Sequence, residues 1–198
     1  HSVSIGNGDQ FKPEFLAISP NNNIPAIVDP EGPDGRPISI FESGAILKYL
    51  ALKFGKFYPT DPRQQVKVDE WLFWQVGSFG PMLGQNHHFA LYAPEKIPYA
   101  IKRFRDETHR LYRVLNTRLE GRNYVADTYS IADIAIFDWS NGWERQGIDL
   151  EEFPNVAAWQ ERIRARPAVQ RGLLLKAPEP VKSLAEDKES QKVLFNQR

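Results

Sequence analysis

The chain has 198 residues, 41% of them hydrophobic and 25% charged, and its 25 Lys+Arg balance its 25 Asp+Glu. That length holds one large domain or two small ones, and a neutral chain without a basic block argues against nucleic acid or a membrane surface as partner. No apolar run is long enough to span a bilayer and no leader pattern opens the chain, while the absence of cysteine excludes disulfides and cysteine nucleophiles within these residues and suits a cytoplasmic setting.

In chain order, Val3–Ile5 reads as the end of a strand and "GNGDQ" as a Gly-rich loop. Phe11, Phe15 and Leu16 in "FKPEFLAIS" have helix-compatible spacing. "PAIVD" and "PISIF" are predicted strands, and the Pro/Gly/Asp run "EGPDGR" between them predicts a hairpin. Pro25 is out of place beside a buried strand, because proline cannot donate to a ladder and belongs at starts, edges or bulges. "ESGAILKYLALKFG" is helical, with Ile46, Leu47, Leu50 and Phe54 on one face and Gly55 able to end it in a left-handed conformation. The order is therefore β–α–β–β–α.

Beyond a Pro-broken linker the pattern is helical. Segment 63–90 carries Trp71, Phe73, Trp74 and Phe79, and Pro81 within it predicts a kink, since its ring would meet the carbonyl of Gly77. Residues 98–119 place Ile101, Phe104, Thr108, Leu111, Leu115 and Leu119 at three-to-four spacing, with charge on the other faces. In "YSIADIAIF", Ser130 and Asp133 make a capping box, and Tyr129 and Ile134 are placed for a hydrophobic staple. Asp133 is read as structural, worth about 1 kcal/mol as a cap, and not as catalytic. Two shorter helices follow at 155–165 and 167–174. The tail from Ala177 is polar and Pro-broken and reads as a mobile extension, in which Val193, Leu194 and Phe195 could dock.

Three stretches in this order, "NNNIPAIVD", "FESGAILKYL" and "YSIADIAIF", resemble the cytosolic glutathione transferases. "GDQFKPEFLAISPNN", "WLFWQVGSFGPMLGQNHHF" and "IPYAIKRF" are similar to the Nu class, with its disulfide-bond reductases and the related fungal nitrogen regulators. The resemblance extends to about residue 174. It implies a thioredoxin-like glutathione-binding domain over 1–58, a linker over 59–64, an all-helical domain over 65–176 and the tail over 177–198. It also implies a cytoplasmic homodimer that takes reduced or oxidised glutathione as cosubstrate, with a disulfide or other small molecule as second substrate. No metal, nucleic acid or membrane is expected.

The resemblance gives Pro25 a role. In the family the peptide before it is cis, which frees the Ile24 N–H and C=O to pair with the glutathione backbone as an added strand would. Ser43 would meet the γ-glutamyl carboxylate at a helix start, and Glu42 its ammonium. Both residues are also ordinary at a helix N-terminus. Gln10 matches a family position that reaches the same tripeptide, though alone it is a plain loop amide. Arg103 matches a position that reaches glutathione from the helical domain, though by its spacing it is one of several basic residues on a solvated face. Asn86, His87 and His88 in "QNHHF" fall in a stretch the family sets near its cleft and are expected to line the substrate pocket. Adjacent histidines point apart on a helix and no Cys or carboxylate joins them, so they do not read as a metal site.

Two departures from the family pattern stand out. Relatives often carry lysine where this chain has Asn23, which cannot supply that charge. The family's first strand and helix, a unit of roughly 30 residues, should precede His1. That unit carries the hydroxyl or amide that stabilises the glutathione thiolate, so the catalytic residue is expected N-terminal to His1. Conjugation to electrophiles and a non-catalytic regulatory role of the same fold are the alternatives to disulfide reduction.

Overall fold

A computed structural model describes residues 1–175 and 187–195. The chain divides into two compact units, His1–Lys53 with Ala177–Arg198, and Phe54–Lys176. Much of the polar tail expected from Ala177, residues 177–186 and 196–198, lies outside the described residues.

In the first unit a short helix α1 (Pro13–Leu16) precedes strands β1 (Ala26–Asp29) and β2 (Ile38–Phe41) and helix α2 (Ser43–Phe54). The strands form the expected antiparallel hairpin, pairing Ala26 with Phe41 and Asp29 with Ile38. Its turn needs Gly32, where an added Cβ would stand 2.5 Å from the Arg36 carbonyl oxygen and 2.7 Å from Ile38 Cγ2. Gly55, with φ +63°, follows α2 in the left-handed conformation expected of it. Phe54 does not share the buried face of Ile46, being 64% exposed.

Val3–Ile5 is not a strand. The Ser4 N–H donates to the Asp9 carboxylate at 2.9 Å, and the Ser4 carbonyl accepts from Asn7 and Asp9 N–H at 3.1 and 3.2 Å. Local turns at Ile5–Asn7 and Asp9–Phe11 thus use the groups a ladder would need. The described end of the tail is a helix, α9 (Lys188–Phe195), packed on the Ile5–Asn7 turn.

The Asp29 carboxylate ties β1 to α2. It accepts from the Tyr49 hydroxyl at 2.7 Å and from Lys53 Nζ at 2.5 Å. The Lys53 bond, then the Tyr49 bond, hold its carboxyl below the usual carboxylate range. A lowered folded value means that the unfolded chain binds the proton more tightly. This contribution is therefore present above the ordinary Asp value of about 3.9 and lost as pH falls through the lowered one. Acid titration followed by amide exchange is expected to loosen the hairpin–helix junction below that value in the parent protein and at no such pH in Asp29→Asn. A junction equally firm in both at low pH would remove this role.

The second unit is helical: α3 (Pro62–Trp74), α4 (Gly80–His87), α5 (Pro98–Leu119), α6 (Ile131–Ser140), α7 (Pro154–Arg164) and α8 (Pro167–Leu173). The kink expected at Pro81 is instead a π-helical turn over Gln75–Phe79, in which the Gly80 N–H reaches back to the Gln75 carbonyl. The wider turn ends just before the proline and takes up the misfit its ring would cause. A second π turn, His88–Tyr92, ends the segment. An added Cβ at Gly80 would stand 2.9 Å from Trp139 Nε1, so glycine lets α6 approach α4. Phe79, Leu83, Leu111, Leu115, Ile136 and Trp159 fill the core. The Asp133 carboxylate, fully buried, accepts from Ser130 N–H (3.1 Å), Ser130 Oγ (3.2 Å), Val125 N–H (3.0 Å) and Trp159 Nε1 (2.9 Å). It is structural, as expected, and binds more of the fold than a cap does.

Candidate functional site

The site is built where the hairpin opens. Continuing the β1–β2 register past Ala26↔Phe41 would set Pro25 against Glu42 and Ile24 against Ser43. The pairing stops there because Pro25 has no N–H to give and Glu42 turns the chain with φ +70°. The Ile24–Pro25 peptide is cis, as expected. Together with Ser19, Asn23 and Phe41, these four residues line a cavity of about 100 Å³.

Each wall has a distinct chemistry. Ser19 is buried, and its hydroxyl donates to the Asn23 carbonyl at 2.8 Å, fixing the approach to Ile24. Ile24 is 51% exposed and precedes the ladder, which begins at Ala26, so its N–H and C=O lie outside the β1–β2 pairing. Across from it, the Glu42 carbonyl accepts from Ile46 N–H at 2.9 Å, which makes Glu42 the residue flanking α2 and Ser43 its first residue. The first N–H groups of α2 have no acceptor within the helix, and its dipole favours an anion there. Glu42 adds a negative side chain next to that positive end. One wall thus suits a peptide backbone, and the other a carboxylate with an adjacent ammonium. Glu42 is a non-glycine residue in the left-handed region, where backbone cost commonly accompanies a functional demand.

The other expected site residues lie elsewhere. Gln10 is buried and outside the cavity lining; its Nε2 donates to the Ile5 carbonyl at 3.1 Å, and its Oε1 has no protein partner. Arg103 stands on a solvated face of α5, 3.5 Å from Glu107 Oε2. Glu107 is already held by Arg110, Nε at 3.0 Å and Nη2 at 2.6 Å, so the Arg103 contact is the looser one. Asn86 is packed in the core of the second unit, 1% exposed, with Nδ2 donating to the Gln146 carbonyl at 2.9 Å. His87, half-buried beside Tyr92 and Trp139, has Nε2 without a protein partner. Burial first, and then the Arg145 charge, push its imidazole below the ordinary histidine value, so it is neutral near pH 7. His88 packs edge-on against Phe89. Among the described residues no group of three or more His, Cys, Asp or Glu could hold a metal, and no helix is long and apolar enough to cross a membrane.

Sequence reasoning missed Ser19 and Phe41. Ser19 carries no motif signal, because its role is a bond to a carbonyl four residues on. Phe41 is legible only once the hairpin register is known.

A cis-proline hairpin that feeds a helix N-terminus, in a chain whose other unit is a helical bundle, defines a class: the chain belongs to the glutathione S-transferase family. The model of that family's N-terminal domain matches residues 1–53, and that of its C-terminal domain residues 81–167. The chain is 58% identical over 174 residues to the disulfide-bond oxidoreductase YfcG of Escherichia coli, covering 87% of this chain and 81% of that one. Over 182 residues it is 42% identical to the disulfide-bond oxidoreductase YghU of the same organism, covering 87% of this chain and 62% of that one. Among solved structures, a glutathione transferase from Pseudomonas putida with one glutathione disulfide bound per subunit superposes with TM-score 0.83 at 42% identity. That match covers 89% of this chain and 80% of that one.

Proposed function

We propose that the chain is a glutathione-dependent disulfide reductase in which glutathione supplies the sulfur and the hairpin end holds the tripeptide. The carrying observation is that Ile24, Pro25, Glu42 and Ser43 line one cavity, in a chain 58% identical to a disulfide-bond oxidoreductase. The Ile24 edge would pair with the cysteinyl backbone, while Ser43 and the first N–H groups of α2 take the γ-glutamyl carboxylate and Glu42 its ammonium. Gln10 would reach the same end group. His87 and His88 would face the second substrate, with Asn86 supporting that stretch from the core. No residue of the chain is proposed for stabilising the thiolate.

The reaction is two exchanges. A glutathione thiolate attacks one sulfur of the disulfide, forming a mixed disulfide and expelling a thiolate, which takes a proton. A second glutathione thiolate attacks the glutathione sulfur of the mixed disulfide, giving glutathione disulfide and the second thiol. Two glutathiones are consumed for each disulfide reduced. A steady-state assay pairing reduced glutathione with a small aliphatic disulfide, beside one with an aryl halide, tests the proposal. Turnover of the disulfide well above that of the halide is expected. Turnover of the halide alone would replace reduction by conjugation, and binding without either turnover would make the chain a regulatory module.

Arg103 separates the two reactions. The hairpin end has donors for one γ-glutamyl carboxylate, whereas a second glutathione brings another. A guanidinium fork suits it, and Arg103 is 53% exposed with only a loose tie to Glu107. Arg103→Ala is expected to weaken oxidised glutathione and disulfide turnover by up to about fivefold, the usual limit for an exposed pair, and reduced glutathione less. The loss should shrink with added salt. Calorimetry showing equal losses for both ligands would assign Arg103 to the first glutathione.

We also propose the family's cytoplasmic homodimer for this chain, with the domain division at 58, 64 and 176 expected from sequence. Phe57, Val66 and Phe73 are 44%, 55% and 62% exposed, large apolar groups that a partner would cover. Light scattering at working concentrations is expected to report the doubled mass; a monomer throughout would remove the dimer.

A further inference from the structure

We propose that the hairpin-end cavity recognises the γ-glutamyl-cysteinyl part of its thiol and not the free carboxylate of the third residue, so that the chain takes glutathione with an amidated or otherwise capped glycyl end as well as glutathione itself. Asn23 is the residue that sets this specificity. The inference rests on the reading of the hairpin end as a glutathione site.

The cavity is small and its charge is one-sided. At about 100 Å³ it falls short of the roughly 300 Å³ of pockets that enclose a whole small ligand, so it holds one end of a tripeptide. Among the described residues that line it, Glu42 is the only one with an ionisable side chain, and it stands with Ser43 at the start of α2. Asn23, on the N-terminal side of Ile24, is an exposed neutral amide. Three cations of the first unit have carboxylates of their own: Lys12 lies 2.7 Å from Asp9, Arg36 3.5 Å from Asp34 and Lys53 2.5 Å from Asp29.

Strand polarity sets the third residue of the ligand beside Asn23. The γ-glutamyl head belongs at Glu42 and Ser43, and Glu42 falls opposite Pro25 when the hairpin register is continued. With the cysteinyl residue paired to Ile24, the ligand runs antiparallel to the chain, and its glycyl residue comes next to Asn23. In an antiparallel pair a residue that exchanges hydrogen bonds alternates with one whose N–H and C=O point away. Asn23 fits that alternation, because its carbonyl accepts instead from the buried Ser19 hydroxyl at 2.8 Å. Ser19 is held in turn, its own carbonyl accepting from Asn22 N–H at 2.9 Å, with Asn22 in the left-handed region at φ +47°. The glycyl end thus meets neither a cation nor the Asn23 carbonyl. A carboxylate there keeps its water, and removing its charge costs little.

The test is calorimetry on the full chain with three probes: reduced glutathione, its C-terminal amide, and cysteinylglycine, which lacks the γ-glutamyl head. The amide is expected to bind within about twofold of glutathione, and cysteinylglycine at least about tenfold more weakly, the loss of a hydrogen-bonded charged group. Asn23→Lys is expected to strengthen glutathione by up to about fivefold, the usual limit for an exposed ion pair, and to leave the amide unchanged. That gain should shrink with added salt. An amide more than about fivefold weaker than glutathione in the parent chain overturns the proposal, since a charge partner must then hold the glycyl carboxylate. Asn23→Lys with no gain for glutathione, or with an equal gain for the amide, overturns the placement of the glycyl end. If these failures occur while Ser43→Ala still weakens glutathione, only the neutral glycyl end falls. If the parent chain binds neither glutathione nor its amide, the reading of the hairpin end falls with it.

Discussion

Asp133→Ala is expected to lower the stability of the helical unit by about 3–5 kcal/mol, several times the effect of an ordinary helix cap. The carboxylate accepts from Ser130 at the start of α6, from Val125 in the preceding loop and from Trp159 on α7, so it joins three segments at one buried point. Alanine would leave those donors buried without an acceptor, at about 1–3 kcal/mol each before relaxation. Asp133→Asn should cost less, because it keeps one acceptor oxygen but turns an amide donor toward donors. Burial pushes the Asp133 carboxyl up, against the hydrogen bonds that pull it down. With the folded value above the unfolded one, its contribution is full below the ordinary value of about 3.9 and declines as pH rises through the raised one. That is opposite in sign to Asp29 in the first unit. Urea unfolding of both variants followed by tryptophan fluorescence reads the loss. A change below about 1 kcal/mol in Asp133→Ala would reduce the residue to a simple cap.

Ser43→Ala is expected to weaken glutathione by about 1.5–3 kcal/mol, or roughly 10- to 150-fold, the range for a hydrogen bond to a charged group. Ser43 is the first residue of α2, and it is exposed at the cavity opposite Ile24. Its hydroxyl is the side-chain donor at the position where the helix dipole already favours a carboxylate. The fold should be indifferent to the change, since the backbone N–H groups of the first turn remain and no core atom is lost. Thermal unfolding within about 2 °C of the parent, with glutathione affinity lowered, is the expected pair of results. Unchanged affinity by calorimetry would return Ser43 to the role of a helix residue alone.

What could be read from the sequence was what depends on near neighbours. The hairpin follows from "EGPDGR" between two apolar runs, α5 from the spacing of its apolar residues, and the end of α2 from Gly55. The cis peptide and the meeting of Ile24 with Ser43 were legible only through the family resemblance, because proline alone is compatible with an ordinary strand start. Much of what could not be read depends on partners far along the chain. The Asp133 box was plain in "YSIAD", but its bond to Trp159 joins residues 26 apart. Pro81 announced a distortion without saying that a π turn over Gln75–Phe79 would absorb it. Val3–Ile5 has strand residues, yet Asp9 captures the Ser4 backbone. In the tail, Val193, Leu194 and Phe195 were legible as residues that could dock, but not where: Gly6 and Gly8 clear room for Ser190 and Val193.

One glutathione is expected to bind where the hairpin opens onto α2. Titrating reduced glutathione into ¹⁵N-labelled protein and following the backbone amides tests it most directly. Saturable shifts centred on Ile24, Ser43 and Gly44 are expected, moved to roughly 10- to 150-fold higher glutathione in Ser43→Ala, with the Asp133 box unmoved. Saturable shifts confined to the helical unit, with Ile24 and Ser43 silent, would contradict it.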